Sequence, residues 1–244
     1  MSVLTVRKAA GRRPSARAII PPPVAGDHLD LAEFWRRCEA HPEIKKAELL
    51  DGVVFMPPRV CDDHSVPDNA ASGWLAYYAA RTPGTCAHND RSLQLIGISA
   101  VQPDVCLVLL PECGGRTFVN EEQKLAGSPE LIFEVAASST SYDLFEKKDA
   151  YHANQVREYL VWQTLDQRFD WFEWTPAEYI RRRPDAKGIL RSKTFPGLWL
   201  NVRALLDLRF DTVMDTLERG VRSPEHKRFV AALRAKLKPA RKHR

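Results

Sequence analysis

Nothing in this chain approaches the roughly 20 consecutive apolar residues that a helix needs to cross a bilayer, so no membrane role is expected. The first residues also lack the apolar core of a secretory leader. Residues 1–18 contain no acid, and five Lys or Arg instead, which reads as a solubilising basic tail. The five cysteines include no C-x-x-C pair, which argues against a disulfide framework and fits a reducing cytoplasm. Also missing are a Walker phosphate loop, a G-x-S-x-G elbow and an H-E-x-x-H helix. Nucleotide-driven phosphoryl transfer and serine or zinc peptidase chemistry therefore lose ground. No internal repeat breaks the chain into modules.

What is present is the material of one sizeable core. The 244 residues are 44% hydrophobic and 27% charged, the balance of an ordinary globular protein. The formal charge of +5 conceals a division. Residues 222–244 hold nine Lys or Arg and one acid, so 19–221 keep 22 basic and 30 acidic residues, a net of −8. Basic ends can gather polyanions, but they do not make the folded surface a polyanion site.

Residues 1–26, basic and then Pro-rich, are expected to stay outside the packed structure. Asp27 or Asp30 would cap a helix carrying Leu31, Phe34, Trp35 and Cys38 on one face. Asp51-Gly52 between two apolar runs, Ala47–Leu50 and Val53–Met56, predicts a tight hairpin. A helix follows from Ser65 to about Arg81 and stops at Thr82-Pro83-Gly84. Strands are expected at Leu93–Ile96 and Val105–Leu110, then a polar loop with a short helix from Pro111 to Gly127. Pro129 to Trp162 reads as strand, turn, helix and strand, the parallel crossover of an α/β sheet. Phe169–Trp174, Tyr179-Ile180 and Leu198-Trp199-Leu200 are expected to extend that sheet antiparallel. Residues 27–207 form one domain in this reading, with 208–244 a basic helical extension. Its last helix sets Phe229, Val230, Leu233 and Leu237 on one face, to dock on the body, a partner chain or nucleic acid, the body being preferred. Lys227, Arg228, Arg234 and Lys238 are the cations it would offer to a nucleic acid.

Chemistry is expected where a carboxylate interrupts an apolar strand, because an uncompensated buried charge is costly. Glu134 does so after Leu131-Ile132-Phe133, and Asp104 stands at the mouth of Val105–Leu110. If those strands pair antiparallel, the two acids meet at one edge of the sheet. They would then call for a cation, and all-oxygen ligation suits Mg²⁺ or Mn²⁺. Glu48, ahead of the hairpin turn, is a third acid. Lys147 is expected on one helical face with Asp143 and Tyr151. His64, beside Asp62 and Asp63, reads as a surface or site-rim residue. The blander readings stay open: a solvent-exposed or Lys147-paired Glu134, a turn-capping Asp104, a strand-edge Glu48. Cys61-x-x-His64 with Cys86-x-His88 is a weaker zinc alternative. Ser138 to Ser141 reads as a helix cap.

Several of these segments occur in a familiar order. Glu48-Leu49-Leu50-Asp51-Gly52-Val53-Val54, Met56-Pro57-Pro58 with His64, Pro103-Asp104-Val105, and Pro129 to Thr140 come first. Asp143, Lys147, Tyr151, Val156-Arg157-Glu158-Tyr159 and Phe195-Pro196-Gly197-Leu198-Trp199-Leu200 complete the set. It resembles the Uma-type restriction-endonuclease family of the PD-(D/E)XK nuclease superfamily, over roughly Asp27 to Leu206. The resemblance implies a mixed β-sheet flanked by helices and a metal-dependent endonuclease acting on nucleic acid, with DNA the expected substrate. It also implies Mg²⁺ or Mn²⁺ on Asp104, Glu134 and the Val135 backbone carbonyl, with Glu48 completing the site. The motif's lysine, usual two residues after the Glu, is Ala136 here, and Lys147 matches the family's helical lysine. The Gly usual before Val156 is Gln155. A silent nucleic-acid or protein-binding adaptor on the same fold is the alternative, and a homodimer is compatible with either.

Overall fold

The computed structural model of the protein describes residues 19–57, 62–137 and 139–237. Helix α1 (Leu31–Ala40) begins at Asp30, whose carboxylate accepts the Glu33 N–H at 2.8 Å, as its sequence predicts. Phe34 is buried with Leu49 and Val54 of the hairpin formed by β1 (Glu48–Leu50) and β2 (Val53–Phe55). Asp51 and Gly52 take φ of 47° and 83°, the left-handed pair that a two-residue hairpin turn requires.

Helix α2 (Asp62–Arg81) starts three residues ahead of Ser65 and buries Trp74, Leu75 and Tyr78. It leads into β3 (Thr85–Asn89), β4 (Leu93–Gln94), β5 (Ala100–Val101) and β6 (Val105–Leu109). Strand β3 escapes prediction because it is a sheet edge, half-buried from Thr85 to His88 and exposed at Asn89, with little apolar signal. The segment expected as a polar loop has its short helix, a 3-10 turn at Pro111–Cys113. It then forms an antiparallel hairpin of β7 (Thr117–Val119) and β8 (Leu125–Gly127). Strand β7 is again an edge, with Phe118 and Val119 exposed.

The crossover unit has the expected parallel strands, β9 (Leu131–Ala136) and β10 (Glu158–Gln163), but two helices, α3 (Thr140–Leu144) and α4 (Glu146–Ala153), where one was expected. Strands β11 (Arg168–Trp174) and β12 (Tyr179–Arg181) extend it antiparallel. The segment Leu198–Leu200 does not. Strands β13 (Ile189–Arg191) and β14 (Trp199–Asn201) form a separate ribbon. Leu190, Phe195, Leu198 and Leu200 are buried in the main core, so the ribbon caps that core rather than the sheet edge. Helices α5 (Val202–Leu206), α6 (Phe210–Val221) and α7 (Pro224–Leu237) close the chain. Val213 and Leu217 of α6 and Leu233 of α7 lie in the same buried cluster as Trp74 and Phe133. Leu237, expected on the docking face, is exposed.

The central sheet runs β12-β11-β10-β9-β6-β3, and a second six-stranded sheet runs β2-β1-β5-β4-β8-β7. Side-chain alternation divides β9 between two cores. Leu131, Phe133 and Val135 face α2 and α6, whereas Ile132 and Ala136 face Tyr151 of α4 and Leu93 and Leu125 of the second sheet. Glu134 has the parity of Ile132 and Ala136. Its side chain therefore belongs to the layer between the sheets.

Candidate active site

The strand register brings the two principal acids together. Val105 stands opposite Phe133 on antiparallel β6 and β9, so Asp104 falls beside Glu134. The Asp104 N–H donates to Glu134 Oε2 at 3.3 Å, and the Val135 N–H donates to Asp104 Oδ2 at 2.8 Å. Each carboxylate thus accepts a backbone N–H near the other. Glu48 arrives from β1 and accepts the Gln102 N–H on Oε1 at 2.8 Å. The helical segment is interrupted at Phe145 between α3 and α4, contrary to the continuous helix expected. Asp143 nonetheless remains 3.5 Å from Lys147.

Lys147 is the centre of the cluster. Its Nζ lies 3.0 Å from Glu134 Oε1, 3.2 Å from Glu48 Oε1 and 3.5 Å from Asp143 Oδ1. Tyr151 donates its hydroxyl to Glu134 Oε1 at 2.8 Å. Glu48, Asp104, Glu134 and Lys147 are 0%, 2%, 1% and 3% exposed, so the rim is closed rather than solvent-washed. Burial, with Asp104, Asp143 and Glu48 adding to it, pushes the Glu134 carboxyl up to about 8 against the pull of Lys147. Burial would raise Asp104 too, but the His64 hydrogen bond and the charges of Lys46, His64 and Lys147 hold it well below the usual range. Lys147 is raised well above an ordinary lysine: burial opposes the charge, but Glu134, Glu48 and Asp143 outweigh it.

A second set of groups stands on the solvent side. Lys46 Nζ lies 3.0 Å from Asp104 Oδ1 and 3.9 Å from Asp90 Oδ1. His64 Nε2, expected at the surface or the site rim, lies 3.3 Å from Asp104 Oδ2 with its side chain 18% exposed. Asp68, one helical turn on, is raised to about 6, chiefly by burial. Lys46 was not anticipated. Its signal in the sequence is its position two residues before Glu48, the spacing that puts two extended-chain side chains on one face.

Other expected residues lie apart. Lys227, Arg228 and Arg234 are exposed on α7, which packs beside Gly84 and Cys113 past the far end of β6. At about 3.3 Å per residue, five-residue β6 places them roughly 17 Å or more from Asp104. Lys238 and Cys61 lie outside the described residues. His64 meets Asp104, while Cys86 and His88 sit on β3, bonded across to β6.

Among the described residues, no three His, Cys, Asp or Glu side chains stand ready to ligate one ion. Lys46, His64 and Lys147 lie on the oxygens that would do so. The donor set nevertheless fits a hard divalent cation. Four carboxylates face two ammonium groups, and Glu48 Oε2 is buried without any hydrogen-bond partner.

A mixed sheet flanked by helices, with acids and a lysine gathered at one rim, defines a restriction-endonuclease-like α/β protein. The family model described as "Uma2: Putative restriction endonuclease" matches residues 31–203, and the chain belongs to that family. A crystal structure from Anabaena variabilis, described as a putative nuclease belonging to DUF820, is similar in fold with a TM-score of 0.58. At 15% identity the similarity covers 73% of this chain and 98% of that one. No curated protein matches. Among the described residues no helix is long and apolar enough to cross a membrane.

Proposed function

We propose that the chain is a divalent-cation-dependent endonuclease that hydrolyses phosphodiester bonds, with DNA as substrate. The observation that carries this reading is the convergence of Asp104, Glu134, Glu48 and Asp143 on one buried spot, where Glu48 Oε2 has no hydrogen-bond partner among the described residues. Asp104, Glu134 and Glu48 would hold Mg²⁺ or Mn²⁺, with the Val135 carbonyl as a further ligand. The ion supplies Lewis acidity and a more acidic water when bound. Lys147 fixes Glu134 and Glu48 in place and orients the attacking water from the helix side. Tyr151 locks the other side of Glu134 Oε1. In the reaction a P–O bond forms to the water oxygen and the P–O bond to the leaving sugar oxygen breaks. The water's proton ends on that leaving oxygen.

The test is cleavage of supercoiled plasmid and of single-stranded RNA by the full chain, with Mg²⁺, Mn²⁺ or EDTA. Metal-dependent nicking of the plasmid is expected, falling at least ~100-fold in Asp104→Asn and in Glu134→Gln. Cleavage of RNA alone would transfer the reading to a ribonuclease. A wild-type protein inert on both would overturn it.

A further inference from the structure

The two lysines of the cluster have different freedom. Lys147 points its ammonium at three carboxylates within 3.5 Å and is almost sealed from solvent. Of the three, Glu134 accepts its hydrogen bond, and the charge is shared among all three buried carboxylates, which hold the ammonium in place. Lys46 has one carboxylate at hydrogen-bond distance, Asp104, and the next, Asp90, at 3.9 Å. Its side chain is 22% exposed, against 4% for Lys147.

We propose that Lys46 contacts the substrate at this site, binding a non-bridging oxygen of the phosphodiester; this rests on the phosphodiesterase reading above. Three features support the assignment. Lys46 Nζ touches Asp104 from the side open to solvent, where a nucleic-acid backbone must arrive. Its donors are not all committed, and its flexible stem lets a compact charge shift from carboxylate to phosphate. The approach of a phosphate to a group of four acids is repulsive, and Lys46 is the ammonium placed to offset it. Lys147 cannot do this without abandoning buried carboxylates.

The test compares full-length wild type with Lys46→Met, Lys46→Arg and Lys45→Met, the last changing an exposed neighbouring lysine. Mn²⁺ binding is read by calorimetry without DNA, and cleavage of a short synthetic duplex by steady-state kinetics. In Lys46→Met, kcat/KM should fall by roughly 10- to 100-fold, the loss of one charge-assisted hydrogen bond. Its Mn²⁺ affinity should be unchanged or tighter, which also shows that the site is folded. Lys46→Arg should recover part of the loss, and Lys45→Met should match wild type. Wild-type kcat/KM in Lys46→Met would overturn the assignment while leaving the phosphodiesterase reading intact. Loss of Mn²⁺ binding together with activity would overturn it too, making Lys46 a support for Asp104. A wild type that neither binds Mn²⁺ nor cuts the duplex would sink the phosphodiesterase reading and this proposal with it.

Discussion

Glu134 and Glu158 are buried glutamates on neighbouring parallel strands, three register positions apart and toward opposite ends of that pair, yet their surroundings differ in kind. Glu158 accepts the Ser192 hydroxyl at 2.7 Å and the Lys193 and Thr194 N–H groups at 2.8 and 3.1 Å. All three are neutral donors, supplied by one loop of the capping ribbon. Glu134 has two ammonium groups in its neighbourhood but also three more carboxylates. One acid is a satisfied anchor for a loop. The other shares its burial with three more carboxylates, one of which, Glu48, keeps an oxygen without a hydrogen-bond partner among the described residues, which is why a cation-dependent reaction is proposed for that end.

The largest effect should come from removing the charge at the centre of the Glu134 end. Lys147→Met leaves Glu134, Glu48 and Asp143 without their ammonium and should cost about 3–5 kcal/mol in urea unfolding without divalent ions. A variant as stable as wild type would mean that the acids already carry protons enough to do without it. Next is Glu158→Ala, which strands the buried Ser192 hydroxyl and the part-buried Lys193 and Thr194 N–H groups and should cost about 2–3 kcal/mol. Its folded fraction should keep whatever nuclease activity the wild type has. Folded but inactive Glu158→Ala would erase the distinction between the two ends.

Cation binding sharpens the comparison further. Mn²⁺ at 100 times its Kd should stabilise the wild type by about 2.7 kcal/mol. The rise in Tm should vanish in Glu134→Gln and persist in Glu158→Gln. Equal rises in both would place the ion elsewhere.

A smaller change is expected at Gln155, which holds a left-handed φ of 56° at the turn after α4. An L side chain is strained there, so Gln155→Gly should gain about 0.5–1 kcal/mol by chemical denaturation. The shallowest effect concerns His226, at the Glu158 end, whose ring bonds Thr82 Oγ1 at 2.9 Å and the Val221 carbonyl at 2.7 Å. Burial lowers its pKa from the ordinary 6.5, against the Val221 contact, which raises it. Below about pH 6.5 the unfolded chain therefore takes up a proton that the folded chain resists, and stability falls as pH falls. The urea midpoint of wild type should drop more between neutral and mildly acidic pH than that of His226→Gln.

The central crossover was legible because its signals agree: β9 and β10 are continuous apolar runs, with turn residues and a helical pattern between them. The Asp51-Gly52 turn and the Asp30 cap were legible because each needs particular side-chain or backbone chemistry that few residues supply. Strands β3, β5 and β7 were not, being short or at edges, where pairing rather than composition creates the strand. Within the helical extension expected over 208–244, α6 was not placed as a helix of its own, although Val213, Leu217 and Val221 lie on one buried face. The separate β13–β14 ribbon resembles a sheet extension in sequence because both are short apolar strands. Burial of Phe195 and Leu198 against α2 and α6 separates them.

By itself, the sequence determined that one acid stands within an apolar strand and another at the mouth of a second, and that one residue of register decides whether they meet. The order of motifs named the family. Tertiary structure alone decided that Glu48 and Asp143 join them, that Lys147 is sealed among three carboxylates, and that Lys46 reaches Asp104 from solvent. It also set the basic face of α7 at the opposite end of β6. The physical reason is that local pattern fixes which face a side chain takes. Charge balance in a buried cluster depends on groups drawn from five separate segments, and only packing brings those together.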